Sequence, residues 1–268
     1  MLPPESAPGK SVTERAFAVL MSFDINHRRM TLSQISRRTG LPVATTFRLL
    51  DRLEAITAVE RSSDGLYSIG PKIWELGILA PTHDVIGMGT RPLLRSLAAH
   101  SGGVVRVFVH NNQNALCVEE VLAHGGSTAA GGPGLTLPLH ACAAGQAILT
   151  SIAPSVRNAL PITRMQLTDL EAALGIAHRR GWVRMVRSDG TVEYAVPLHA
   201  ADRPPMSLSV DIHPSAGSTR PQVGTEALVR ELQSVARTLA GILDTASDSR
   251  HSKPESEQAL SRTNSEHR

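Results

Sequence analysis

The sequence predicts an α+β chain in two domains, a small helical head with a β-hairpin and a larger mixed domain behind it. Three observations predict this. Residues 32–53 hold two short amphipathic segments joined by a turn containing Gly40 and Pro42. Residues 58–69 hold two alternating runs about a polar, Gly-containing tip. From residue 93 onward, helical periodicity and β-rich runs are interleaved, with no long apolar stretch.

Residues 1–9 are rich in Pro and Ser and read as a loose tail. Ser11 is placed to cap a helix whose apolar positions Val12, Ala16, Val19 and Leu20 recur at helical spacing. In residues 32–53, Leu32, Ile35 and Ser36 share one face of the first segment. Thr39-Gly40 stops it, because glycine enters the left-handed region without steric cost. Pro42 suits the first turn of the next helix, where its missing N–H is not needed. There Thr46, Leu49, Leu50 and Leu53 fall on one face, and Thr45, Arg48 and Arg52 on the other. Such a pair, its second helix presenting hydroxyls and guanidinium groups, is what a helix-turn-helix needs to enter a major groove. The hairpin that follows is then a wing, with Arg61, Ser62 and Ser63 at its tip suited to phosphate or minor-groove contact.

Gly70-Pro71 ends the wing, and residues 72–80 read as a connecting helix with Trp74, Ile78 and Leu79 as an apolar stripe. Pro81 and Pro92 bracket a joint, so the head spans residues 10–71, the linker 72–90 and the second domain 91–244. The second domain is expected to run helix (93–99), strands (104–110 and 115–121), Gly-rich loop (124–134), short extended run (135–139) and helix (143–150). Two further helices (155–160, 168–180), two strands (192–196, 206–212) and a last helix (225–243) complete it. Residues 245–268 are Ser-, Glu- and Arg-rich and expected to be disordered.

A hydrophobic content of 41% supports a real core, built mainly from aliphatic residues because aromatics are only 3%. The net charge of +3 alone does not mark a nucleic-acid binder, so distribution has to carry that argument. Between Lys10 and Arg61, nine Lys or Arg face five acids, and this local excess surrounds the helix pair. Two cysteines, Cys117 and Cys142, are too few for a disulfide framework and fit a reducing compartment. No apolar h-region opens the chain and no run approaches the ~20 residues of a membrane span. A soluble, cytoplasmic protein without membrane contact is expected.

Four segments, in order, then carry a resemblance: SVTERAFAVLMSF, LSQISRRTGLPVATTFRLLDRL, YSIGPKIWELG and PLHACAAGQAIL. Together they make the chain, from about Val12 to Leu243, similar to the IclR family of transcriptional regulators. The resemblance implies a winged helix-turn-helix joined by a linker helix to a GAF-like α/β domain that binds a small-molecule effector. It also implies a homodimer or dimer of dimers on double-stranded DNA with a palindromic operator, more often as a repressor. No cofactor is expected.

Thr45 and Arg48 match the family's recognition-helix pattern and are expected to lead base reading, Arg48 by bidentate contact with guanine. A phosphate contact or an ion pair with Asp51 is the alternative for Arg48. Thr46 stands where the family usually has a buried valine, yet its hydroxyl is counted with Arg52 among the DNA-contact candidates. Phe47 either touches a thymine methyl or packs against a neighbouring helix. Arg37, Arg38 and Arg61 are expected to hold phosphates, with Ser62 beside them.

In the second domain, Ala143, Ala144 and Gly145 match the turn whose backbone N–H groups bind ligand in the family, and Ser209 matches a pocket serine. Glu193 and Asp211 fall where members often carry a cysteine and a serine, and residues 181–187 replace an acidic run. Two carboxylates there favour a neutral or cationic ligand, unless Arg184 neutralises one and an anion still binds. Because one sequence does not settle strand register, solvent-facing Glu193 and Asp211 stay an open alternative.

His140-Ala141-Cys142 has no further Cys/His pair at metal-ligand spacing, and His178, His199 and His213 are isolated. The Gly-rich 131–134 stretch lacks the Lys-Ser/Thr of a phosphate loop, so an enzyme is the weaker reading. A third reading keeps DNA binding but leaves the second domain as a ligand-unresponsive assembly module.

Overall fold

Reciprocal caps set the helices of the head. The computed structural model describes residues 11–24, 26–80, 89–123, 132–213 and 224–251, and the chain divides into two units, Met1–Ala80 and Pro81–Arg268. In the first unit Ser11 accepts from the Glu14 N–H while the Glu14 carboxylate accepts from the Ser11 N–H, which starts α1 (Val12–Leu20). Thr31 and Gln34 do the same for α2 (Leu32–Thr39). Gly40 closes α2 at φ 70°, a left-handed conformation that L side chains rarely adopt. After Pro42 the chain enters α3 (Val43–Ala55).

The expected hairpin is present as β2 (Val59–Arg61) and β3 (Tyr67–Ile69). It gains a third strand, β1 (Arg29–Met30), in the order β1-β3-β2. Val19, Ile35, Leu50, Leu53, Val59 and Tyr67 close the core of this unit with Met30 and Ala58. Pro71 then opens α4 (Pro71–Gly77), which ends three residues before the expected end of the linker helix.

The second unit is a six-stranded antiparallel sheet between two helical layers. Its elements are α5 (Arg91–Ser101), β4 (Val104–Asn111), β5 (Asn114–Leu122), β6 (Thr136–Pro138) and α6 (Ala143–Leu149). They continue as α7 (Pro154–Asn158), α8 (Arg164–Arg180), β7 (Val183–Val186), β8 (Val192–Leu198), β9 (Met206–Ile212) and α9 (Thr225–His251). The strand order is β6-β5-β4-β9-β8-β7. Side chains alternate across a strand, so β9 sends Met206, Leu208 and Val210 into the core with α5 and α9. Ser207, Ser209 and Asp211 therefore face the side carrying α6 and α8, where Phe108, Cys117 and Ala195 pack on Ala144, Ile148, Leu170 and Leu174.

Strand β7 was not expected, and α9 runs to His251, past the expected end at 243. The tail at 1–9, most of the joint between Pro81 and Pro92, most of the loop at 124–134 and residues 252–268 lie outside the described residues. Among the described residues no helix is long and apolar enough to cross a membrane.

Two glycines make opposite expectations. A Cβ on Gly145 would lie 2.3 Å from the Leu139 carbonyl oxygen, which is backbone and cannot swing aside. Gly145→Ala should therefore cost about 3 kcal/mol in denaturant unfolding. At Gly241, within α9, a Cβ meets nothing within 4 Å. Gly241→Ala should stabilise the same protein by about 0.5–1 kcal/mol.

Candidate nucleic-acid interface and ligand cavity

On α3 the buried stripe is Thr46, Leu50 and Leu53. Phe47, Arg48, Asp51 and Arg52 are exposed, and Thr45 is half-buried beside them. The helix thus offers the Phe47 ring and the Arg48 guanidinium in its N-terminal half, where recognition helices meet base edges, with Arg52 exposed in its last turn. Phe47 is 46% exposed, so it does not fill the head's core.

Three of the expected DNA contacts need revision. Thr46 is fully buried; its hydroxyl donates to the Pro42 carbonyl at 3.1 Å, which satisfies a threonine in a valine-shaped place. It supports the helix and has no surface to offer DNA. Arg38 donates to the Ser22 carbonyl at 2.9 Å and pairs with Asp24 at 2.6 Å, so it braces the chain between α1 and β1. Ser62 is likewise engaged: its hydroxyl accepts from Arg29 at 2.9 Å and lies 2.5 Å from Asp64. Arg29 also pairs with Asp64 at 2.9 Å, and that carboxyl is held below its usual range by the Ser62 hydroxyl and the Leu66 N–H. Arg61 remains at the surface, its guanidinium 5.3 Å from the centre of the Tyr67 ring. Arg37 is exposed on α2.

In the second unit the antiparallel register places Glu193 opposite Asp211, and Arg106 opposite Ser209. All four are buried. The Glu193 carboxylate accepts from the Ala143 N–H at 2.9 Å and the Ala144 N–H at 3.0 Å. The Cys142 sulfur accepts from the Gly145 N–H at 3.2 Å. The amides of the expected ligand-binding turn are thus bonded to the chain's own side chains.

Beside them lies a cavity of about 180 Å³, lined by Phe108, Leu135, Leu137, Pro138 and Cys142 together with Arg106, Arg187, Glu193 and Asp211. Arg106 pairs with Glu120 at 2.8 Å and donates a short hydrogen bond to Asp211 Oδ2. Arg187, half-exposed at the end of β7, lies 3.8 Å from the same oxygen.

The acids therefore face inward, which closes the solvent-facing alternative for Glu193 and Asp211. Arg184 does not neutralise them: it sits opposite Tyr194 on the other face of β7 and is exposed. Arg187 and Arg106 take that place. Ser209 is fully buried on the cavity side of β9, and its hydroxyl meets no partner among the described residues. Arg106 was not singled out in the sequence, although an arginine between Val105 and Val107 on an apolar strand is a legible signal. Among the described residues no group of His, Cys, Asp or Glu is placed to hold a metal ion.

Burial raises the pKa of Glu193 above its ordinary 4.5, and the nearby Asp211 raises it further, against the pull of the two amides. Burial also raises Asp211, opposed by Arg106. Burial pushes the Cys142 thiol up to about 12, so it stays a neutral thiol. An acid whose folded pKa exceeds its unfolded pKa binds more protons folded than unfolded, so stability falls as pH rises through that window. The melting temperature should therefore rise on acidification from neutral toward about pH 5 more steeply in the wild type than in Glu193→Gln, which cannot titrate. Parallel profiles for the two proteins would refute this assignment.

Comparison with known proteins agrees with both units. Residues 12–63 match the model of the IclR helix-turn-helix domain. The HTH-type transcriptional repressor AllR of Escherichia coli K12 is 31% identical over 152 residues, 56% of each chain. Its Klebsiella pneumoniae counterpart is 32% identical over 148 residues, 54% of each. The chain thus matches about half the length of these curated relatives. An IclR homologue from Microbacterium hydrocarbonoxydans, crystallised with 4-hydroxybenzoate, superposes with a TM-score of 0.73 at 23% identity, covering 88% of this chain and all of that one. An IclR-type regulator from Silicibacter sp. TM1040 gives 0.70 at 21% identity over 87% of this chain and 96% of that one. Residues 12–63 thus form a helix-turn-helix of the IclR type by sequence, and the chain is similar in fold to these solved proteins over most of its length.

Proposed function

We propose that this protein is a sequence-specific DNA-binding transcriptional regulator, a repressor, whose operator occupancy is changed by a small molecule bound in its C-terminal domain. It acts in the cytoplasm. The observation that carries the reading is the outward face of α3, with Thr45, Phe47, Arg48 and Arg52 on a capped helix-turn-helix of the IclR type. In this reading residues 10–71 bind DNA, residues 72–90 link, and residues 91–244 form a GAF-like effector domain.

Thr45 and Arg48 read bases, and Phe47 reaches a thymine methyl. Arg37, Arg52 and Arg61 hold phosphates, which position the head without reading sequence. A homodimer places two α3 helices in successive major grooves of a palindromic operator. Support for a second copy comes from α4, where Trp74 and Leu76 are exposed beside Leu79. A ligand changes occupancy only if it binds one arrangement of the dimer better than the other.

A second reading, an assembly module without ligand response, is favoured by one observation. The amides of Ala143 and Ala144, which would receive a ligand, already hold Glu193. Thermal stabilisation by a metabolite panel separates the two readings, because a ligand selective for the native state raises apparent stability.

The first test is a fluorescence-anisotropy titration with DNA from the protein's own upstream region and a scrambled duplex, at two salt concentrations. Affinity for both should fall steeply with salt as counterions are released. Arg48→Ala should lose about 10- to 100-fold on the operator with little change on the scrambled duplex. Arg37→Ala should weaken both alike. Identical behaviour of the two variants across sequences would sink this division of roles.

A further inference from the structure

Three facts about the cavity point to the chemistry of its ligand, granted the reading that the second domain is a sensor. The first is that Glu193 already fills the Ala143 and Ala144 amides with both of its oxygens, so an incoming carboxylate finds no backbone donors there. The second is that Asp211, 8% exposed, lines the cavity with one oxygen on Arg106, while its Oδ1 meets no hydrogen-bond partner among the described residues. A buried acceptor without a donor is costly, and a ligand supplying that donor recovers the cost. The third is charge. Arg106 is divided between Glu120 and Asp211, and Arg187 between Asp211 and Asp189 at 3.6 Å. With Glu193, these side chains comprise four acids and two arginines, so both arginines are already matched by the chain's own carboxylates before an anion enters.

We propose that the cavity beside Arg106, Glu193 and Asp211 takes a small molecule that presents N–H donors, such as an amidine, guanidine, amine or urea, and discriminates against carboxylates. Asp211 Oδ1 receives the N–H group, and Phe108, Leu135 and Leu137 cover the ligand's apolar body. Glu193 acts as a built-in carboxylate that keeps the amide pair occupied. Burial first, and the neighbouring Asp211 second, hold its pKa above the ordinary value. The cavity of about 180 Å³ is large enough for one six-membered ring, since a dry cavity of ~150 Å³ accepts benzene.

Isothermal titration of the full-length protein with benzamidine, benzamide and benzoate tests this, because one ring then carries a cationic donor, a neutral amide or an anionic acceptor. Benzamidine, or benzamide next, should bind at least about tenfold more tightly than benzoate, since a site built around an acceptor rejects analogues lacking the donor. Asp211→Asn should abolish that preference. Glu193→Ala should gain benzoate binding as the two amides are released. If that variant fails to fold, the wild-type series decides alone. Tighter binding of benzoate than of benzamidine to the wild type would overturn the donor proposal and leave the sensor reading standing. Binding of none of the three by the wild type would overturn the donor proposal, and the metabolite panel then decides between the sensor and the assembly module.

Discussion

The attachment of the start of α6 to β8 by one buried carboxylate governs the second domain's site. Glu193 reaches two consecutive amides, and it can do so only because the helix begins with Ala143, Ala144 and Gly145. Side chains larger than methyl would hold the helix off the sheet. Gly145 lies so close to Leu139 that even a methyl cannot be placed there. With the Cys142 sulfur taking the third amide, the helix start is satisfied entirely from within. The polar chemistry left to face a ligand is that of Arg106, Arg187 and Asp211. The same arrangement explains why burying several charges is tolerable. Each arginine is shared between carboxylates, and removing one partner would strand the others in a low-dielectric site.

How far this was legible in the sequence depends on what each element owes to local chemistry. The helices of the head follow from periodicity and caps, because Ser11, Thr31 and Gly40 act on residues three or four positions away. Strands β4, β5, β8 and β9 follow from β-rich runs. What one strand meets on another is a different matter. Strand β1 is two residues long and exists only because Arg29 and Met30 pair with Ser68 and Tyr67, which no local pattern announces. Strand β7 was obscured because its segment was read as a departure from an expected acidic run.

The cavity turns on parity. Glu193 and Asp211 are paired across β8 and β9, and a slip of one residue would turn both outward. Arg184 and Arg187 differ by three positions, an odd number, so one faces away and the other reaches Asp211. Alternation of apolar residues at Met206, Leu208 and Val210 did hold the answer for β9, since it forces Ser207, Ser209 and Asp211 to the opposite face. The missing step was knowing that this opposite face is also covered, by α6 and α8. A strand buried on both sides cannot be told from a half-exposed one by its polar positions alone.

In the head the same distinction separates side chains that build from those that touch. Arginine is long enough to do either, and its choice depends on the acids within reach. Arg38 has Asp24 and the Ser22 carbonyl, and Arg29 has Asp64 and Ser62. Arg38 therefore spends donors on the chain after α1, and Arg29 on the tip of the wing. Arg48 and Arg52 stand on an exposed helix face with Asp51 and Glu54 nearby in sequence, and an exposed pair of that kind is worth less than about 1 kcal/mol. A phosphate or a guanine edge offers bidentate geometry that such a pair does not match. The head's arginines thus divide into Arg29 and Arg38, which hold the wing tip and the chain after α1, and Arg48 and Arg52, which stand exposed on α3.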